Sequence, residues 1–145
     1  DRRKSLEKFD DITGEIVDAA IKLHRGLGPG LLESVYEQIL ARELARRGLT
    51  VERQKIVSFE FDGMLFDEGF RLDLLVEDSI IVELKSVEKL APVHSKQVLT
   101  YLRLMNLPVG LLINFGSPTL IEGLHRIVNQ LPESADSKLR VNQTK

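Results

Sequence analysis

The chain has 145 residues, a length typical of one domain. Its 43% hydrophobic and 29% charged residues indicate a globular protein with a sizeable core and exclude a disordered or fibrous chain. The absence of cysteine excludes disulfides, thiolate metal sites and a cysteine nucleophile, and favours a reducing cytoplasm. The chain has 20 Lys and Arg and 22 Asp and Glu, so its net charge is -2. A net positive charge that would attract nucleic acid is therefore absent.

The sequence shows neither a transmembrane segment nor a signal peptide. Its apolar runs fall far short of the roughly 20 residues that span a bilayer. Residues 1–9 are too charged for a signal peptide. We therefore expect a cytoplasmic protein with no membrane partner, and homo-oligomer formation stays open. We expect one domain over residues 1–131 and a polar C-terminal tail over 132–145 that frays.

Helical periodicity dominates the N-terminal third. Residues 13–25 place apolar side chains on one face, and Thr13 or Asp11 is the expected N-cap. The GLGPG stretch at 26–30 breaks the pattern, and residues 31–47 resume it. The sequence therefore predicts two amphipathic helices joined by a turn.

The next part of the chain alternates with a period of two. Residues 55–61 lead into an Asp-Gly pair at 62–63, the strongest short signal for a hairpin. Residues 70–76 and 80–87 then alternate in the same way, with three residues between them. The pattern predicts a meander of antiparallel strands.

The short connection fixes the register of the last two of these strands. If Val76 pairs with Ile80, Asp73 lies directly opposite Glu83 on the same face. Opposed like charges destabilise a strand pair unless something compensates, and a divalent cation would do so. Mg²⁺ favours a site of one or two carboxylates completed by water and phosphate. Asp73 and Glu83 are therefore candidate ligands.

Lys85 follows Glu83 by two residues, which places it on the same face about 7 Å along the strand. Its ammonium can reach the water or the phosphate of such a site, where it would orient or deprotonate the water. The alternative is an ordinary polar sheet face in which Lys85 pairs with Asp73 and Glu83. The spacing alone leaves both readings open.

A third helix follows Pro92. Residues 93–106 have helical periodicity, and His94, Gln97 and Tyr101 fall within its apolar arc, so we expect them to face the sheet. A buried Gln97 needs polar partners, which a carboxylate cluster with metal and water would supply. For Tyr101 alone, a core aromatic with a solvated hydroxyl is the alternative.

The remaining segments predict further secondary structure. Residues 109–115 form a short apolar run typical of a buried strand. Residues 119–128 fit a helix or an edge strand, and we favour the strand. In the second helix, Glu33 lies at the edge of the apolar stripe, where its interaction with the helix dipole is a sufficient structural explanation.

Four short motifs, taken together, resemble a known family. GLLESVY at 30–36 matches a GxxExxY signature. RLD at 71–73, ELK at 83–85 and QVLTY at 97–101 follow in the order of the PD-(D/E)XK nuclease superfamily, with Leu72 in place of Pro. Over residues 10 to 130 the chain thus resembles the GxxExxY family of that superfamily.

The resemblance implies an α/β fold with a restriction-endonuclease-like core, a mixed central sheet flanked by helices. It implies that Glu33 is the acid of the first core helix and that Lys85 is the catalytic lysine. It makes Asp73 and Glu83 metal ligands, together with the carbonyl of Leu84. Gln97 and Tyr101 correspond to an additional catalytic motif, and His94 and Tyr101 are expected to contact substrate.

The leading hypothesis is a Mg²⁺-dependent nuclease that hydrolyses phosphodiester bonds in DNA, with Mn²⁺ as a substitute for Mg²⁺. One alternative is a non-catalytic module that keeps this fold to bind nucleic acid or protein. Another is a metal-dependent hydrolase of a different phosphate ester. The fold by itself does not decide among them.

Overall fold

The computed structural model describes the backbone of residues 2–130 and 139–141 and the side chains of residues 8–130. Helices and strands follow one another in this order: α1 (Arg2–Leu27), α2 (Glu33–Arg46), β1 (Val51–Phe61), β2 (Met64–Val76), β3 (Ile80–Lys85), α3 (Pro92–Met105), β4 (Val109–Asn114), α4 (Leu120–Gly123), β5 (Leu124–Val128) and β6 (Leu139–Val141).

The strands form one six-stranded sheet in the order β5-β4-β3-β2-β1-β6. β3 and β4 are parallel, and every other neighbouring pair is antiparallel. A parallel pair needs a crossover connection, and α3 provides it. The sheet is therefore mixed and flanked by helices, which confirms the predicted α/β fold class.

Helices cover both faces of the sheet and bury two separate cores. On one face, Ile16 of α1 and Leu40 of α2 pack in a cluster with Leu74 of β2. On the other, Val98 and Leu102 of α3 belong to a second cluster. β3 and β4 lie between these layers and are buried almost throughout, which explains their continuous apolar sequences.

The predicted hairpin joins β1 and β2. Asp62 and Gly63 both have positive φ, +50° and +82°. Two successive positive φ values are the conformation that a two-residue hairpin turn requires and that Asp-Gly favours. The strands are longer than predicted, since β1 begins at Val51 and β2 at Met64.

Other predicted boundaries also differ from the structure: the strand predicted over 80–87 ends at Lys85. α1 begins at Arg2, so Asp11 and Thr13 lie inside the helix and are not its N-cap. The first turns of α1 are polar and lack the apolar periodicity from which the start of the helix was predicted. The predicted strand over 119–128 is correct only from Leu124. Before it, Thr119 Oγ1 accepts the N–H of Glu122 and caps the single turn of α4.

The predicted C-terminal tail contributes a strand to the sheet. β6 runs antiparallel to β1, where residue 139 pairs with Phe61 and residue 141 with Phe59. The other residues of the predicted tail, 132–138 and 142–145, lie outside the described part of the chain. In the described part, the helices are too short or too polar to cross a membrane.

Candidate active site

Two carboxylates lie where β2 and β3 stop pairing through their backbones. The ladder runs from Val76 opposite Ile80 to Leu74 opposite Val82, which confirms the predicted register. At the next position the N–H of Asp73 donates to Glu83 Oε2 at 2.8 Å, and the N–H of Leu84 donates to Asp73 Oδ2 at 2.8 Å. Each carboxylate is therefore fixed by the main chain of the opposite strand.

The electrostatic environment of Glu83 disfavours its charge. The residue is only 5% exposed. Burial and, next, the charge of Asp73 raise the pKa of Glu83 to about 8, although the hydrogen bond from Asp73 N–H acts in the opposite direction. A buried carboxyl group beside a second carboxylate lacks a sufficient positive neighbour. A cation at this position would supply that charge.

Lys85 lies beside this pair without forming an ion pair to it. Strand alternation places it on the same face as Glu83, and its charge lowers the pKa of Glu83. Within residues 8–130, the ion pairs do not include Lys85. The alternative of a direct ion pair with Asp73 or Glu83 is therefore not realised, and Lys85 is a half-buried residue whose charge acts on Glu83.

The carbonyl of Leu84 is a third oxygen at this position. In an extended strand, the N–H and C=O of one residue point to the same neighbouring strand. Leu84 N–H points to Asp73 on the β2 side of β3. The carbonyl of the next residue, Lys85, points to the opposite side, where it accepts the N–H of Phe115, the residue after β4. The Leu84 carbonyl therefore faces the gap that Asp73 and Glu83 occupy.

The acid on α2 that approaches the pair is Glu37, not the predicted Glu33. Glu33 is exposed in the first turn of α2. Glu37 lies one turn later, is 5% exposed, and its charge contributes to the raised pKa of Glu83. Sequence reasoning missed it, although Glu37 stands in line with Ala41 and Leu44 on the apolar stripe, and an acid on such a stripe is a usable signal.

Basic and amide donors hold the carboxylate of Glu37. Arg53 Nε donates to Oε2 at 3.1 Å, and Arg53 Nη2 forms an ion pair with the same oxygen at 3.0 Å. Gln54 Nε2 donates to Oε1. Both carboxylate oxygens are thereby occupied, as a buried carboxylate requires.

On α3, Tyr101 faces the site and Gln97 does not lie buried beneath it. Tyr101 stacks on Phe70 with ring centroids 4.5 Å apart. Burial, and then the charges of Glu83 and Asp73, raise the pKa of the Tyr101 hydroxyl. Gln97 is exposed, so the expectation of a buried Gln97 is wrong. Val98 lies in the buried face of α3, and Gln97, its neighbour in the chain, lies outside that face.

His94 stabilises the start of α3. Its Nδ1 accepts the N–H of Ala91, the residue before the helix, at 3.1 Å. This bond satisfies one of the helix's otherwise unpaired N-terminal donors. The predicted substrate contact of His94 would therefore use the other ring nitrogen.

The donor set is compatible with a hard cation. Among the described residues, no three His, Cys, Asp or Glu side chains group closely enough to hold a metal by themselves. Two carboxylates and a carbonyl remain, and all three are oxygen donors. Mg²⁺ accepts such a sparse protein set because it retains several waters and binds substrate phosphate.

Comparison with known proteins agrees with this architecture. A family model of the PD-(D/E)XK nuclease superfamily matches residues 10–127. No curated protein and no solved structure matches the chain. The matched span contains Asp73, Glu83, Lys85 and most of the sheet. The chain therefore belongs to the PD-(D/E)XK nuclease superfamily, which suggests that it is a nuclease.

Proposed function

We propose that this chain is a divalent-cation-dependent nuclease that hydrolyses phosphodiester bonds in DNA, with Mg²⁺ as its cation and Mn²⁺ as a substitute. The observation that carries the proposal is the break between β2 and β3, where Asp73 and Glu83 are fixed by main-chain donors. Superfamily membership supports a nuclease. The GxxExxY assignment around Glu33 stays a prediction.

The cation would be held by Asp73, Glu83 and the carbonyl of Leu84. Asp73 Oδ1 and Glu83 Oε1 accept no hydrogen bond from the residues described, so one oxygen of each carboxylate is available. The chemistry that such a cation supplies when bound is polarisation of the phosphoryl oxygens and a lower pKa for water. The charge of Glu37 strengthens the negative potential at this position.

Lys85 would orient the attacking water and stabilise negative charge on the phosphate. It lies on the same face of the sheet as Glu83, and it has no ion-pair partner among residues 8–130. The Tyr101 hydroxyl would contact the same phosphate. Gln97 is exposed on α3 and His94 is half-buried at its start, and we assign both residues contacts to substrate rather than to the cation.

Cation binding and DNA cleavage, measured together, test this proposal. Calorimetry with Mg²⁺ and Mn²⁺ should show binding that Asp73→Asn abolishes. Plasmid, linear duplex and single-stranded DNA, with RNA as a comparison, should show which substrate is cleaved in a chelator-sensitive manner. Lys85→Met should retain cation binding and lose cleavage.

Lys22→Met is the matched control, because Lys22 pairs with Glu43 at the exposed surface of α1. It should leave both measurements unchanged. If the parent chain neither binds a divalent cation nor cleaves any of these nucleic acids, the proposal is wrong. Binding of DNA without cleavage in every cation would favour the binding module.

A further inference from the structure

Gln54 has an unusual backbone in the middle of β1. Its φ is +51°, in the left-handed region that side chains other than glycine adopt only at an energetic cost. The residues before and after Gln54 pair with β2, whereas Gln54 and Asp73, which would face each other, do not. The irregularity therefore lies beside one of the two candidate ligands.

This backbone lets two consecutive residues reach one side chain. Neighbours in a regular strand point to opposite faces of the sheet. Arg53 and Gln54 nevertheless both donate to the carboxylate of Glu37 on α2, Arg53 to Oε2 and Gln54 to Oε1. The left-handed conformation of Gln54 reverses the expected alternation and directs its amide to Glu37.

Arg53 alone would satisfy the charge of Glu37. Its guanidinium supplies a full positive charge, but its hydrogen bond through Nε and its ion pair through Nη2 both involve the same oxygen. The amide of Gln54 binds the other oxygen and so prevents the carboxylate from rotating. The strained backbone therefore serves the orientation of Glu37 rather than its neutralisation.

We propose that Gln54 is a positioning residue of the candidate site: opposite Asp73 in the sheet, it holds the buried acid Glu37 in one orientation and thereby tightens the binding of a divalent cation by Asp73 and Glu83. This inference rests on the proposed function. Groups that orient a metal site from outside the ligand set commonly change metal affinity by about 10–100-fold. We expect a change of that order for Gln54.

Gln54→Gly tests the inference directly. Glycine adopts the left-handed conformation without penalty and removes the amide. The variant's dissociation constant for Mn²⁺ by calorimetry should rise by about 10–100-fold, while the melting temperature of the metal-free variant reflects both the relieved backbone strain and the lost hydrogen bond to the buried Glu37 carboxylate. The cation concentration for half-maximal DNA cleavage should rise by the same factor. A merely structural Gln54 predicts an unchanged dissociation constant, whatever the change in melting temperature.

Asn106→Gly is the matched control, since Asn106 is left-handed as well, with φ +56°, but ends α3. It should leave cation affinity unchanged. Gln54→Met provides a second variant of similar length, which removes the amide donor without adding a charge and should also weaken Mn²⁺ binding.

The outcomes separate this inference from the proposed function. If the parent chain binds Mn²⁺ and both Gln54 variants bind it equally well, Gln54 does not position the site and the proposed function stands. If the parent chain does not bind Mn²⁺, both are wrong. Weaker binding in both variants, with an unchanged Asn106→Gly control, supports the positioning role.

Discussion

The carboxylate of Asp73 takes part in two interactions that substitution can separate. It accepts the N–H of Leu84, and it stands beside Glu83, whose charge it disfavours. Asparagine keeps an oxygen acceptor and removes the charge. Asp73→Asn should therefore abolish Mg²⁺-dependent cleavage and leave the melting temperature of the metal-free protein unchanged or raised.

Asp73→Ala provides the contrast, since it removes the acceptor as well. The unpaired N–H of Leu84 should lower the free energy of unfolding by about 1–3 kcal/mol. Chemical denaturation of both variants without metal distinguishes them. Equal destabilisation by Asn and Ala would show that the charge of Asp73 stabilises the fold.

Glu83 makes the stability of the metal-free protein depend on pH. Burial beside Asp73 raises the pKa of Glu83 on folding from its ordinary value of 4.5 to about 8, so between these values the folded state binds more protons than the unfolded state. The contribution of protonated Glu83 is complete below pH 4.5 and is lost as pH rises through 8. The free energy of unfolding should therefore fall across that interval.

Glu83→Gln should flatten this pH dependence, because glutamine does not titrate. Denaturation at several pH values in the presence of a chelator measures the effect. A parent protein whose stability is constant from pH 5 to pH 8 would contradict the assignment, since Glu83 would then be charged at little cost.

At the scale of elements, the close approach of α3 to the sheet depends on Gly110 in β4. A Cβ at this position would lie 3.0 Å from Val98 Cγ1 and 3.2 Å from the carbonyl of Ile81. Gly110→Ala should force α3 away from the sheet and destabilise the fold by about 1–3 kcal/mol. Because α3 carries Tyr101, cleavage should fall as well.

Gly14→Ala is the control for Gly110, as Gly14 lies in α1 with nothing within 4 Å of an added Cβ. Alanine in a helix should stabilise the protein by about 0.5–1 kcal/mol. Thermal melts of the two variants should shift in opposite directions. A Gly110→Ala protein as stable as the parent would mean that α3 adjusts its position without loss.

Local signals predicted most of the elements and the position of the paired acids. The Asp-Gly turn and the three-residue connection before Ile80 depend only on neighbours in sequence, and they were sufficient to place Asp73 opposite Glu83. β6 could not be predicted in this way, since its pairing with β1 joins segments far apart in the chain.

Contacts within the site between residues far apart in the chain could not be predicted from the sequence pattern either. A helical wheel orders side chains around α3 but does not fix the rotation of the helix against the sheet, so Gln97 was assigned to the wrong environment. Glu37 meets Gln54 as well as Arg53 because Gln54 is left-handed, and no turn signal marks that position.

At the scale of the molecule, the candidate site connects several parts of the fold. Asp73 lies on β2, Glu83 on β3, and Glu37 on α2, which is itself bound to β1 through Arg53. These elements contribute to the sheet or to the core on one of its faces. A cation bound by Asp73 and Glu83 should therefore oppose unfolding of the whole domain rather than stiffen one loop.

Mg²⁺ at 100 times its dissociation constant should accordingly raise the free energy of unfolding by about 2.7 kcal/mol. The gain should disappear in Asp73→Asn and persist in Lys22→Met. At a fixed Mg²⁺ concentration it should also grow as pH rises towards 8, because Glu83 must lose its proton before its carboxylate can bind a cation. Thermal melts with Mg²⁺ or with chelator, at pH 6 and pH 8, measure all three effects. If Mg²⁺ raised the free energy of unfolding of Asp73→Asn by the same amount, the stabilising cation would be bound by other acids of the chain and not by Asp73 and Glu83.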